Sequence, residues 1–104
     1  MKRILIIEDE QDIVDIATMI LEDEGYQVSS LSEFGNFQNQ VQNSHADLVL
    51  LDLNLQGYHG RDICKYIKNN EQLNQTSVVL MSANRDIQAI IAFHCAASTT
   101  DVLA

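Results

Sequence analysis

Three short, wholly apolar runs constrain this chain more than any other feature. They are Ile4 to Ile7, Leu48 to Leu51 and Val78 to Met81, and a polar residue follows each one directly. Continuous apolar runs of this length are typical of parallel strands that are covered on both faces. The stretches between them carry helical spacing, so the sequence predicts alternating strands and helices.

Helical periodicity is strongest after the first run. The apolar face of the helix predicted there is formed by Ile13, Ile16, Ala17, Ile20 and Leu21. Gly25 lies four residues beyond Leu21 and is suited to end that helix.

Weaker patterns predict the remaining elements. Phe34, Phe37 and Val41 suggest a second helix, and Ile63, Cys64 and Ile67 a third. A fourth helix is predicted with Asn84 as its N-cap. The apolar face of this fourth helix would carry Ile87, Ile90, Ile91, His94 and Cys95. Residues 26–30 and 101–104 are candidates for two further strands.

Alternating strands and helices favour one architecture. Right-handed crossovers give an α/β fold, a doubly wound parallel sheet with helices on both faces. We expect five strands in the flavodoxin-like order 2-1-3-4-5. With 104 residues the chain is predicted to be a single domain, residues 1–104, that ends at the fifth strand without a final helix.

Charge and hydropathy exclude several classes of function. Fifteen acidic against six basic residues give a formal net charge of −9, the wrong sign for binding nucleic acid directly. No apolar stretch approaches the roughly 20 residues of a membrane span, and the first run is too short for a signal-peptide core. We therefore expect a cytoplasmic protein with no direct contact with nucleic acid or membrane.

Carboxylates follow two of the predicted strands. Glu8 and Asp9 end the first strand, and Asp52 ends the third. In the predicted strand order these ends are neighbours at the switch point, where ligands bind in open sheets. Two unit charges 4 Å apart repel by about 4 kcal/mol at an effective dielectric of 20, so a divalent cation is expected among them. Oxygen ligands favour Mg²⁺, or Mn²⁺, over zinc.

The acidic loop after the first strand also limits the chemistry. A nucleotide-binding loop would carry glycines there, whereas EDEQD would repel a phosphate. An anion could enter only with a metal ion bridging it to the carboxylates, which fits phosphoryl transfer. A carboxylate can attack phosphorus, and Asp52 is the best candidate for that nucleophile.

Four motifs in order resemble one known family. ILIIEDE, LVLLDLNLQGYHG, VVLMSAN and the closing ASTTDVLA are similar to the receiver domain of two-component response regulators, along the whole chain. The resemblance implies a signalling phosphoacceptor rather than a turnover enzyme. Its phosphoryl group would come from a histidine kinase or a histidine phosphotransfer protein.

The resemblance also implies a role for each site residue. Asp52 would be the phosphoacceptor, Asp9 a direct Mg²⁺ ligand and Glu8 a ligand through water, while the backbone carbonyl of Asn54 completes the metal shell. The Ser82 hydroxyl and the Ala83 backbone N–H would bind phosphoryl oxygens. The side chains of Asn54 and Asn84 would tune the lifetime of the phosphoryl group.

The chain departs from the family pattern in several places. The sequence ends one residue before the position of the usual lysine, and before the fifth helix; Gln56 and Val102 replace a frequent proline and aromatic residue. Arg85 is the nearest candidate for a substitute cation. An uncovered apolar face and a bare edge strand predict self-association, such as a homodimer, or marginal stability.

Two other functions remain open from the residues. One is a pseudo-receiver, with the same fold used only for docking or dimerisation. The other is a phosphatase like the haloacid dehalogenases, which needs a second acid two residues after its nucleophile, where this chain has Asn54. Affinity for a divalent cation distinguishes a phosphoacceptor from a pseudo-receiver, which does not need the ion. Turnover of a phosphomonoester distinguishes a phosphatase from a phosphoacceptor.

Overall fold

The computed structural model of the chain describes residues 2–31, 36–52, 54–55, 58–73, 75–84, 89–95 and 102–103. The helices are α1 (Gln11–Asp23), α2 (Phe37–Ser44) and α3 (Gly60–Asn69). The strands are β1 (Arg3–Ile7), β2 (Gln27–Leu31), β3 (Leu48–Asp52), β4 (Asn54–Leu55), β5 (Tyr58–His59), β6 (Ser77–Asn84), β7 (Ala89–Cys95) and β8 (Val102–Leu103).

The main sheet has the order β2-β1-β3-β6-β7-β8. β1 pairs in parallel with β2 and β3, and β3 pairs in parallel with β6. The parallel α/β sheet predicted from the three apolar runs is therefore confirmed, with β2, β1, β3 and β6 in the predicted order 2-1-3-4. β4 and β5 form a separate two-stranded sheet after β3.

Helices cover both faces of this sheet. On one face α2 and α3 pack over β1, β3 and β6, with Val41, Ile63 and Ile67 buried against the strands. On the other face Val14 of α1 packs against Ile4 and Ile6. Consecutive residues of β1 point to opposite faces of the sheet, and both faces are covered by helices. Every residue from Ile4 to Ile7 is therefore apolar, with no alternation of apolar and polar residues. The doubly wound arrangement is thus present in the described part of the chain.

Gly25 ends α1 as the sequence predicts. Its φ is +96°, a conformation that side chains disfavour. The Gly25 N–H donates to the Glu22 carbonyl at 3.0 Å, and the Tyr26 N–H donates to the Leu21 carbonyl at 3.1 Å. This pair of bonds is the Schellman pattern, which satisfies carbonyls at the end of a helix.

The predicted fourth helix is wrong. Residues 89–95 form β7, which pairs antiparallel with β6 from Val79↔His94 to Asn84↔Ala89, so Asn84 lies in a strand rather than at an N-cap. A short apolar run containing Ile90, Ile91 and Phe93 suits a strand as well as a helix, and periodicity alone does not separate them. Pairing with β7 supplies partners for the backbone groups at the edge of β6.

The predicted fifth strand is in a different place. β8 at Val102–Leu103 lies within the predicted 101–104, but it pairs antiparallel with β7 instead of in parallel with β6. The sheet therefore has six strands, two of them antiparallel, where five parallel strands were expected. Ile87 and Phe34, assigned to the predicted fourth and second helices, lie outside the described residues.

Candidate functional site

Three carboxylates meet at the carboxyl ends of β1 and β3. Glu8 and Asp9 follow the last residue of β1, and Asp52 is the last residue of β3. The register pairs Ile7 with Leu51, which puts position 8 level with position 52. One carboxylate oxygen from each of Glu8, Asp9 and Asp52 lies within 4.8 Å of the other two. The convergence expected from the strand order is present.

The three acids differ in their exposure to solvent. Glu8 is 3% exposed and Asp52 7%, whereas Asp9 is exposed. The strands beneath them are fully buried, since Ile7 and Leu51 are both 0% exposed. Among the described residues, the cluster is therefore closed on the side of the core and open to solvent on the side of Asp9.

The Glu8 side chain is fixed by the start of the first helix. Its Oε1 accepts a hydrogen bond from the Glu10 backbone N–H at 3.0 Å. Glu10 is also the N-cap of α1, and its carbonyl accepts from the N–H groups of Ile13 and Val14. The other oxygen of Glu8, Oε2, is buried without a hydrogen-bond partner.

Burial raises the pKa of Glu8 from its ordinary 4.5 to about 8. The neighbouring Asp9 and Asp52 raise this pKa further, because their negative charges disfavour a charged Glu8 carboxylate. A proton shared within the cluster stabilises it when no cation is bound, because a buried carboxylate beside other carboxylates is disfavoured in its charged form. A divalent cation would remove the same repulsion.

The donor set fits magnesium. All the ligand atoms in the cluster are carboxylate oxygens, the hard ligands that Mg²⁺ and Mn²⁺ prefer, and it contains neither His nor Cys. The unpartnered Oε2 of Glu8 is an acceptor that a cation would satisfy.

The other predicted site residues lie on β4 and β6. Met81 is the register partner of Asp52, so the backbone of Ser82 and then of Ala83 continues β6 just beyond it. Asn54 begins β4 and pairs with His59. The side chains of Ser82, Asn54 and Asn84, and the whole of Arg85 and Gln56, lie outside what the structure describes.

One contributor was missed by the sequence analysis. The Glu10 backbone N–H orients Glu8 by donating a hydrogen bond to it. From the sequence, Glu10 was treated only as one acidic residue of the loop after the first strand. The start of the periodic pattern at Ile13 was the available signal, because the N–H groups just before a helix lack intrahelical partners and point toward nearby acceptors. The residue that caps α1 is therefore also a residue that shapes the cluster.

Comparisons with known proteins identify the family of this site. A family profile described as "Response regulator receiver domain" matches residues 4–103. The chain is 27% identical over 90 residues to the DNA-binding response regulator MtrA of Mycolicibacterium smegmatis, covering 86% of this chain and 38% of that protein. It is 32% identical over 82 residues to the phosphate regulon transcriptional regulatory protein PhoB of Escherichia coli, covering 79% of this chain and 36% of that protein.

Solved structures give the same result. The signal receiver domain of a DNA-binding response regulator from Colwellia psychrerythraea superposes with a TM-score of 0.74 at 26% identity, over 84% of this chain and 74% of that one. The response regulator TrrA of Thermotoga maritima, solved in complex with Mg²⁺ and BeF, gives a TM-score of 0.72 at 25% identity, over 85% and 75%.

The chain spans little more than a third of the length of MtrA and PhoB, at 38% and 36%. Among the described residues, no helix is both long enough and apolar enough to cross a bilayer.

Proposed function

The chain belongs to the response regulator receiver family, and from that premise we propose that it is a Mg²⁺-dependent phosphoacceptor. A histidine kinase or a histidine phosphotransfer protein in the cytoplasm would donate the phosphoryl group to Asp52, and residues 1–104 would act as one signalling unit. The observation that carries the proposal is the convergence of Glu8, Asp9 and Asp52 within 4.8 Å at one edge of the sheet.

Asp9, Asp52 and the backbone carbonyl of Asn54 would hold the cation, with Glu8 completing the acidic set. When bound, the ion neutralises the carboxylates and the incoming phosphoryl oxygens. Mn²⁺ should substitute for Mg²⁺ because both prefer oxygen ligands. The exposed edge at Asp9 supports access from solvent, and the burial of Asp52 limits competing water.

Asp52 would act as the nucleophile. One of its carboxylate oxygens forms a bond to phosphorus as the bond from phosphorus to the histidine nitrogen breaks, and that nitrogen keeps the electron pair. The Ser82 hydroxyl and the Ala83 N–H would bind phosphoryl oxygens, a role that the register next to Asp52 supports for the backbone. Asn54 and Asn84 would tune how quickly water removes the phosphoryl group.

A small phosphodonor tests this function directly. Acetyl phosphate with Mg²⁺ is expected to add one phosphoryl group to the wild-type chain by intact mass, and Asp52→Asn should remove that addition. Asp47→Asn is the matched control, because Asp47 precedes β3 at the opposite end of the sheet and is exposed. Addition of EDTA should also prevent the modification.

Equal labelling of Asp52→Asn would refute the assignment of the phosphoacceptor. A wild-type chain with no affinity for Mg²⁺ would instead favour the docking module, which does not need the cation. Turnover of a phosphomonoester that depends on Asp52 would point to the phosphatase.

A further inference from the structure

Cys64 differs from the other buried residues of α3 in its covalent chemistry. Its side chain is buried in the apolar cluster between α3 and the sheet. The Cys64 sulfur is disulfide-bonded, and the sequence has one other cysteine, Cys95, which is the last residue of β7. A disulfide within the chain therefore joins α3 to β7.

The register of the sheet agrees with this pairing. Val79 is level with His94, so the next step along the antiparallel pair sets position 95 level with Val78. Directly opposed positions lie on the same face of a sheet, and Val78 is buried in the same cluster as Cys64. Position 95 therefore falls on the face of the sheet that α3 covers.

The bond encloses the strand that runs past the carboxylate cluster. It closes the segment 64–95, which contains the whole of β6. The backbone of Ser82 is level with that of Ile91, and Ala83 with Ile90. A cross-link restricts the open states of such a segment more than the folded state, so it favours pairing of β7 with β6.

The local sequence does not determine that pairing. The spacing of Ile90, Ile91 and His94 fits a helix as well as a strand. Tertiary contacts therefore decide which structure residues 89–95 adopt, and the disulfide is a contact that depends on the redox state.

We propose that Cys64 and Cys95 form a reversible thiol–disulfide switch, which holds β7 on β6 when oxidised and releases it when reduced. The inference rests on the cytoplasmic location proposed above, where disulfides are transient and follow the state of the thiol pool. It does not depend on the role of Asp52 as a phosphoacceptor.

The oxidant is a small disulfide such as glutathione disulfide. One cysteine thiolate attacks a sulfur of glutathione disulfide, whose S–S bond breaks as one glutathione leaves. The second cysteine thiolate then attacks the protein sulfur of the mixed disulfide, and the second glutathione leaves. The two cysteines lose two electrons, glutathione disulfide gains them, and the two thiol protons pass to the glutathione thiolates. Reduced glutathione reverses both steps. Because Cys64 is buried, exchange requires β7 to move away from α3.

Titration in glutathione buffers tests the redox step. The wild-type chain is equilibrated at ratios from strongly reducing to strongly oxidising, free thiols are alkylated, and intact mass counts them. We expect a reversible change from two free thiols to none at the mass of one chain. A bond that persists at every ratio would be a permanent cross-link and would overturn the switch. A bond that never forms, or that joins two chains, would also overturn it.

Hydrogen exchange on the same samples tests the conformational step. Amides of residues 89–95 are expected to exchange at least about tenfold faster in the reduced chain than in the oxidised chain. Residues 27–31 of β2, at the opposite edge of the sheet, are the internal control and should exchange equally.

Two variants confine the effect to this cysteine pair. Cys95→Ser and Cys64→Ala should each exchange like the reduced wild type in both buffers. If the buried Cys64→Ala variant does not fold, Cys95→Ser gives the same comparison. Equal protection of residues 89–95 in oxidised and reduced wild type would overturn the switch, and phosphoryl labelling of Asp52 would still test the proposed function separately.

Discussion

At the scale of single residues, three acids in one cluster acquire different properties from their surroundings. Glu8 and Asp52 are almost completely buried, while Asp9 is exposed. Glu8 combines burial with a hydrogen bond from the helix N-cap that fixes one of its oxygens. Its raised pKa follows from that position and not from the residue type.

The raised pKa of Glu8 predicts that the metal-free protein loses stability as pH rises. The folded chain keeps the proton of Glu8 up to a pKa of about 8, while the unfolded chain releases it near 4.5. The contribution of Glu8 is therefore fully present below about pH 4.5 and is lost as pH rises through about 8. The slope cannot exceed about 1.4 kcal/mol per pH unit for one proton.

Urea unfolding in EDTA between about pH 5 and 8 measures this slope. Glu8→Gln should flatten it and should be more stable than wild type at the upper end of that range. Glu71→Gln, at an exposed acidic residue after α3, is the control and should keep the wild-type slope. Parallel pH profiles for wild type and Glu8→Gln would show that Glu8 does not carry the effect.

At the scale of elements, the ends of α1 and α2 use different residues for similar backbone conformations. Gly25 has a φ of +96° after α1, and His45 has a φ of 51° after α2. Glycine adopts positive φ readily, whereas a residue with a Cβ is strained there. The positive φ after α1 therefore falls on a residue that adopts it without strain, whereas the positive φ after α2 falls on a residue that does not.

Replacement of Gly25 should destabilise the protein through its backbone alone. A Cβ at this position would meet no heavy atom within 4 Å, so no clash contributes. Gly25→Ala is expected to lower the free energy of unfolding by about 1 kcal/mol, measured in urea. Gly25→Asn should cost less, because asparagine tolerates positive φ. Equal losses for the two variants would contradict a conformational cause.

Replacement of His45 should have the opposite sign. His45→Gly relieves the strained φ at an exposed position and is expected to raise the free energy of unfolding by about 0.5–1 kcal/mol. Asn43→Gly is the matched control, since Asn43 is exposed within α2, and it should lower stability by a few tenths of a kcal/mol because glycine is the poorer helix former. A loss of stability in His45→Gly would mean that the imidazole makes a contact worth more than the strain.

At the scale of the whole molecule, one face of α1 remains uncovered. Ile16 is 56% exposed, Met19 68% and Ile20 59%. A groove of about 210 Å³ runs beside them, lined by Ile13, Ile16, Ala17, Ile20, Leu21 and Leu50. Contiguous apolar surface of this kind favours association, although a net charge of −9 opposes it.

The 104-residue chain is therefore expected to self-associate, and to do so more strongly in high salt because salt screens the repulsion. Sedimentation velocity across protein concentrations and ionic strengths measures this. Ile16→Gln combined with Ile20→Gln should reduce association, whereas Glu22→Gln, which removes an exposed charge from the same helix, should not. A monodisperse monomer with cooperative unfolding at all concentrations would contradict the prediction.

The elements that the sequence predicted share a simple physical origin. β1, β3 and β6 were predicted because both of their faces are buried, which leaves an unbroken apolar run. α1 was predicted because its pattern is long and Gly25 marks its end. β7 was not predicted, because the spacing of Ile87, Ile90, Ile91 and His94 in a short run fits a helix as well as a strand.

What the sequence determined by itself was the chemistry that stands at the ends of the strands. It placed Glu8 and Asp9 after one apolar run and Asp52 at the end of another, which was sufficient to predict an acidic edge. The tertiary structure decided how those acids meet: the register of Ile7 with Leu51 sets Glu8 beside Asp52, and Glu10 orients Glu8. It also decided that β6 pairs with β7. Such outcomes depend on contacts between residues distant in sequence, and local periodicity contains no information about them.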